Sequence, residues 1–69
     1  MREYSKALEF YEKALEITKK TLPPNHPSLA TSYNNIGGVY YHMREHSKAL
    51  EFFERALEIR QKALPPNHP

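Results

Sequence analysis

Four histidines and eight carboxylates are the side chains of this 69-residue chain with the widest chemical reach. Imidazole could ligate a metal or carry a proton, and paired carboxylates could do acid–base work. Neither set converges. His26 and His68 each sit inside a copy of the hexapeptide LPPNHP, with no second ligand at metal-binding spacing. His42 and His46 are four residues apart but straddle an expected turn. The carboxylates fall on charged helix faces or near turns, so no nucleophile, base and orienting group can be brought together. There is no cysteine, which removes thiolate chemistry and disulfides alike. Gly37 and Gly38 lie within a helical pattern and form no phosphate-cradling loop. The sequence therefore assigns no catalytic, cofactor-binding or metal-ligating residue, and a non-enzymatic chain without cofactors is expected. What remains is hydrogen bonding. Thr31, Asn34, Gly38, Tyr41 and His42 fall in line on one side of a helical segment that is polar but hardly charged, and an asparagine amide offers both a donor and an acceptor.

Three helical segments position this stripe. In the first, Ala7, Leu8, Tyr11, Ala14, Leu15 and Thr18 recur at steps of three and four, with Phe10 and Ile17 widening the apolar face. Such breadth implies two packing partners. The third segment repeats the first: Ala49, Leu50, Phe53, Ala56 and Leu57, with Phe52 and Ile59 beside them. Glu9 with Lys13, Glu16 with Lys20, Glu51 with Arg55 and Glu58 with Lys62 stand at i, i+4 in the favourable order. In the middle segment Leu29, Tyr33, Ile36, Tyr40 and Met43 define a buried stripe. Two glycines inside a helix cost about 1 kcal/mol each relative to alanine. Gly37 lies beside the buried stripe, where a missing side chain admits a neighbouring helix, whereas Gly38 lies on the polar side.

Sliding the chain against itself by 42 residues aligns 27 positions, of which 21 are identical. Periods of this size mark arrays whose units bury their apolar faces only against one another. LPPNHP, at Leu22 to Pro27 and Leu64 to Pro69, is the punctuation of that period. Pro23 and Pro24 stop one helix, Asn25 is expected to cap the next, and Pro27 suits its first turn. The expected layout is a single unit: residues 1–22 the second helix of a partial repeat, 23–27 a linker turn, 28–64 one full helix-turn-helix repeat and 65–69 a second linker turn.

These residues resemble the tetratricopeptide repeat. Tyr33, Ile36, Gly37, Tyr40, Ala49, Phe53 and Ala56 stand at the spacing of its signature, and Ala7, Tyr11 and Ala14 match the second half of a preceding repeat. The phrases NHPSLATSYNNIG and KALEFFERALEIRQKAL are similar to the 42-residue subclass found in kinesin light chains. Two positions depart from the family pattern: Gln61 replaces the closing proline of shorter repeats, and Arg44 replaces the usual glycine between the two helices of a repeat. The resemblance implies an all-α, antiparallel helix-turn-helix solenoid of three helices. It also implies a protein-binding scaffold whose first helices line a concave groove. The groove positions fall on Thr31, Asn34, Asn35, Gly38, Tyr41 and His42, and the partner is a protein or an extended peptide. Asparagine amides suit pairing with a peptide backbone, Gly38 allows close approach, and Tyr41 supplies an apolar wall with a polar tip.

Other partners fit less well. The net charge is +2, and each Lys or Arg has a Glu nearby, unlike the basic stripe with stacking aromatics that nucleic acid requires. No apolar run exceeds four residues, against about 18 for a membrane span, and a cytoplasmic location is expected. Fewer than two repeats are present where about three are needed for stability, so the chain reads as a window on an array. It is expected to self-associate, by stacking that covers residues among Leu8, Tyr11 and Leu15 or by exchanging a helix. Exchange would follow if HMREHSKAL continued as one helix through Arg44, since a left-handed non-glycine residue costs about 1 to 2 kcal/mol.

Overall fold

In the computed structural model, which describes residues 3–63, the chain forms three α-helices: α1 Tyr4–Thr21, α2 Pro27–His42 and α3 His46–Ala63. The fold is all-α and TPR-like, as expected. The ends anticipated at Met1 and Leu64, the second linker turn and His68 lie outside the described residues. α2 packs against both neighbours, while α1 and α3 come nowhere within 8 Å of each other between Cα atoms. The helices thus form a layer with α2 in the middle.

Local chemistry sets each boundary. α1 ends where Leu22, ahead of Pro23, turns extended (φ −123°, ψ 157°), the conformation a following proline imposes. Its N–H still reaches Thr18 O at 2.9 Å, and Lys19 and Lys20 place positive charge in the last turn. A turn closed by His26 N–H donating to Pro23 O (3.1 Å) follows. The cap of α2 differs from expectation. It is His26, not Asn25: the Nδ1 atom of His26 accepts the Ser28 N–H at 3.1 Å. The reason is that Asn25 is consumed inside the proline turn, so the helix begins one residue later, with Pro27 in its first turn.

The α2–α3 turn is bent. Arg44 is left-handed (φ 66°), its N–H donates to Tyr41 O at 3.0 Å, and the Glu45 N–H donates to Tyr40 O at 2.9 Å. Together these form a Schellman motif, which satisfies the last carbonyls of α2. Arginine occupies the position that glycine ordinarily takes, and the two helices are separate rather than continuous. Glu45 O then receives the Ala49 N–H at 2.9 Å to start α3.

The interior is built on small residues. Leu29, Ala30, Ala56 and Ile59 form a buried cluster against which Leu15 and Tyr33 pack, and Ile36, Gly37 and Ala49 are also buried. Gly37 does what its place beside the stripe predicts. A Cβ built there would lie 2.8 and 2.9 Å from the Phe53 ring and 3.2 Å from Ala49 O, whereas one on Gly38 would meet nothing within 4 Å. Phe52 lies against two rings of α2, with centroids 6.0 Å from Tyr33 and 5.5 Å from Tyr40. Lys48 and Arg55 cover the same two tyrosines, at 5.5 Å from Tyr40 and 5.8 Å from Tyr33 respectively.

Three expectations are corrected here. The exposed apolar residues of α1 are Phe10 (69%) and Ile17 (63%); Leu8, Tyr11 and Leu15 are half-buried. On α3 the pattern inverts, with Leu50 and Leu57 exposed and Ile59 buried. The cause is the repeat itself. Both helices carry two apolar faces, but α1 meets α2 with its Leu8 and Leu15 side and α3 meets α2 with its Phe52 and Ile59 side. Finally, the anticipated i, i+4 ion pairs are not closed. Among the described residues the ion pair formed is Lys6 with Glu3 at 3.8 Å, both exposed, since charges in water gain little by pairing and Arg55 finds a tyrosine face instead.

Candidate functional site

Successive helix residues turn by about 100°, so Thr31, Asn34, Asn35, Gly38, Tyr41 and His42 occupy an arc of about 120°, opposite Leu29, Tyr33, Ile36 and Tyr40. The structure bears out that separation. Thr31, Asn34, Asn35, Tyr41 and His42 are exposed and Gly38 is half-exposed, while the opposite stripe is buried or half-buried. Helix periodicity thus brings all six together on one element, and no described residue from α1 crosses them.

Their chemistry is that of an open hydrogen-bonding strip. Neither Asn34 nor Asn35 spends its amide on an intramolecular hydrogen bond; the side-chain bonds of α2 belong to His26 and to Ser32, whose hydroxyl donates to Ser28 O at 3.2 Å. The free space above Gly38 bares the helix backbone between Asn34 and Tyr41. Tyr41 is held as well as exposed. Its ring stands edge-on to His42 at 5.9 Å and tilted against His46 of α3 at 5.4 Å, yet 57% of the residue remains accessible. The contact with His46 was not legible from α2 alone, because it depends on how sharply the turn at Arg44 folds α3 back. His42 and His46 flank a tyrosine, and among the described residues no three metal-ligating side chains converge. No helix of the described residues is long and apolar enough to cross a membrane.

The α2–α3 contact identifies what kind of unit this is. Tyr33 and Tyr40 meet Phe52, Gly37 receives Phe53, and Ala49 and Ala56 are buried in between. The family model of the tetratricopeptide repeat matches residues 1–62. The chain belongs to the tetratricopeptide repeat family. No curated protein and no solved structure gave a match. Tetratricopeptide repeats are protein-interaction scaffolds, and the signature residues of this one lie in the interface between its two helices. None of the six polar positions belongs to that signature, so the tetratricopeptide fold accounts for how the strip is presented and leaves its residues free to set the partner.

Proposed function

We propose that this tetratricopeptide unit binds an extended peptide along the Thr31, Asn34, Asn35, Gly38, Tyr41 and His42 strip of α2, as a repeat of the 42-residue kinesin-light-chain-like subclass acting in the cytoplasm. The observation that carries this reading is the pair of unsatisfied amides beside an open glycine. An extended backbone has a donor and an acceptor at every residue, and amides not committed to the protein can pair with both. Tyr41 adds a fixed apolar wall. The test is a peptide-array screen on an array of three or more copies of the repeat, repeated with Asn34→Ala and Asn35→Ala together. Binding is expected to weaken about tenfold or more with helicity unchanged, since two hydrogen bonds contribute about 1 kcal/mol each. Unchanged affinity would remove the strip from the site, and collapsed helicity would make the asparagines structural.

A second reading, homo-oligomeric self-association, is favoured by a separate observation. Phe10, Ile17, Leu50 and Leu57 are each more than half exposed and lie in pairs seven residues apart on the two outer helices. Apolar stripes of this kind mark interaction surfaces.

A further inference from the structure

The two exposed stripes are not alike, and their difference specifies how copies of the chain would meet. On α1, Phe10 and Ile17 are followed around the helix by Lys6, Lys13 and Lys20, all exposed. Small residues, Ala7 and Ala14, lie on the other flank. On α3, Leu50 and Leu57 are flanked by exposed Glu54, then Glu51 and Glu58, and on the other side by Phe53 and Arg60. A shallow groove runs along that acidic flank, lined by Glu51, Glu54, Leu57, Glu58 and Gln61 together with Arg55. One outer face is therefore apolar with a basic edge, and the other is apolar with an acidic edge.

Both stripes point away from α2. At about 100° per residue, Leu8 and Leu15, which face α2, lie across α1 from Phe10 and Ile17. Likewise Phe52 and Ile59, which face α2, lie across α3 from Leu50 and Leu57. With α1 and α3 on opposite sides of the central helix, each copy carries one face of each kind at opposite ends of the layer.

We infer that α3 of one copy docks on α1 of a second copy, with Leu50 and Leu57 against Phe10 and Ile17 and the two helices parallel. The inference rests on the self-association reading and gives it a partner, a surface and a direction. Direction follows from geometry. When parallel helices face each other, the flank reached by increasing angle on one meets the flank reached by decreasing angle on the other. Lysines lie on the decreasing side of the α1 stripe and glutamates on the increasing side of the α3 stripe, so they meet. Phe53 and Arg60 then lie over Ala7 and Ala14, where small side chains leave room. An antiparallel contact between two α1 faces sets lysine against lysine, and one between two α3 faces sets glutamate against glutamate. Like charges in register are disfavoured, and opposite ones select the partner.

A contact between unlike faces leaves one of each kind open after every addition, so association runs on into rings or filaments instead of stopping at two. One helix face against another is a small interface of the weak, transient class, and a dilution series up to about 1 mM covers the affinity such contacts reach.

The test uses two variants of the full chain. Leu50→Lys/Leu57→Lys blocks the acidic-edged face, and Phe10→Lys/Ile17→Lys blocks the basic-edged one; all four residues are exposed, and circular dichroism checks that helicity is kept. By light scattering the unaltered chain is expected to grow in mass with concentration. Each variant alone stays at the 8.1 kDa monomer, and their equimolar mixture doubles that mass and goes no further. If either variant still associates alone, the contact is between like faces: the inference fails and the self-association reading stands. If both variants and their mixture stay monomeric while the unaltered chain associates, the inference fails likewise. If the unaltered chain is monomeric throughout, both fail.

Discussion

Replacing Gly37 and Gly38 by alanine, one at a time, separates packing from helix propensity at adjacent positions. Each substitution gains the same intrinsic preference, about 0.5 to 1 kcal/mol. At Gly38 the new methyl meets nothing within 4 Å, so that gain appears in full and the chain is stabilised. At Gly37 the methyl falls 2.8 and 2.9 Å from Phe53 ring carbons and 3.2 Å from Ala49 O. The ring can swing aside, being half-buried, but the carbonyl belongs to the α3 backbone and the two helices must part by a few tenths of an ångström. Overpacking of this kind costs about 1 to 3 kcal/mol. Gly37→Ala is therefore expected to end up neutral to about 2 kcal/mol destabilised, and the two variants to differ by about 1 to 3 kcal/mol. Gly37→Leu adds volume that no ring motion can absorb and falls further. Thermal melts followed by circular dichroism resolve this, since 1 kcal/mol moves Tm by about 4 to 8 °C in a domain of this size. The melts are run at one concentration, because association raises apparent stability. Adding Phe53→Leu to Gly37→Ala should recover part of the loss. Equal effects at Gly37 and Gly38 would refute the close approach of α2 and α3.

Two further substitutions probe the turns. His26→Ala removes the acceptor for the Ser28 N–H and is expected to lower stability by about 0.5 to 2 kcal/mol, with His26→Asn restoring most of it; the same melts check both. Arg44→Gly keeps the Schellman hydrogen bonds while relieving a left-handed arginine, and should raise stability by about 1 kcal/mol, read from the urea midpoint at unchanged slope.

Periodicity made the three helices and the buried stripe of α2 legible, because a helix with one covered face must repeat its apolar residues at three and four. Gly37 and Gly38 could be assigned to different sides for the same reason: adjacent residues lie far apart around the axis. The cap of α2 was misplaced by one residue, since the geometry of two consecutive prolines decides how much chain the turn consumes. Which apolar face of α1 and α3 would be exposed was not legible either. Both helices carry both faces in sequence, and only packing against α2 chooses between them. The strip on α2 followed from polarity and family spacing, whereas the seating of Tyr41 against His46 needed the fold of the turn. One signal in the sequence could have revealed the paired cation–ring contacts: Tyr33 and Tyr40 are seven apart, as are Lys48 and Arg55.

α1 and α3 share 12 of their 18 residues, yet each rests on its own flank of α2 and shows it a different side. Side-chain preference alone can hardly tell them apart, so their placement is a matter of tethering. The three residues between α2 and α3 fold α3 back onto the Tyr33 and Tyr40 flank, and the five residues between α1 and α2 deliver α1 to the other. The short connectors act as addresses for two almost interchangeable parcels. Lengthening the Arg44 turn would loosen that addressing and let the twin helices compete for one berth, a folding ambiguity built into any protein that grows by copying itself.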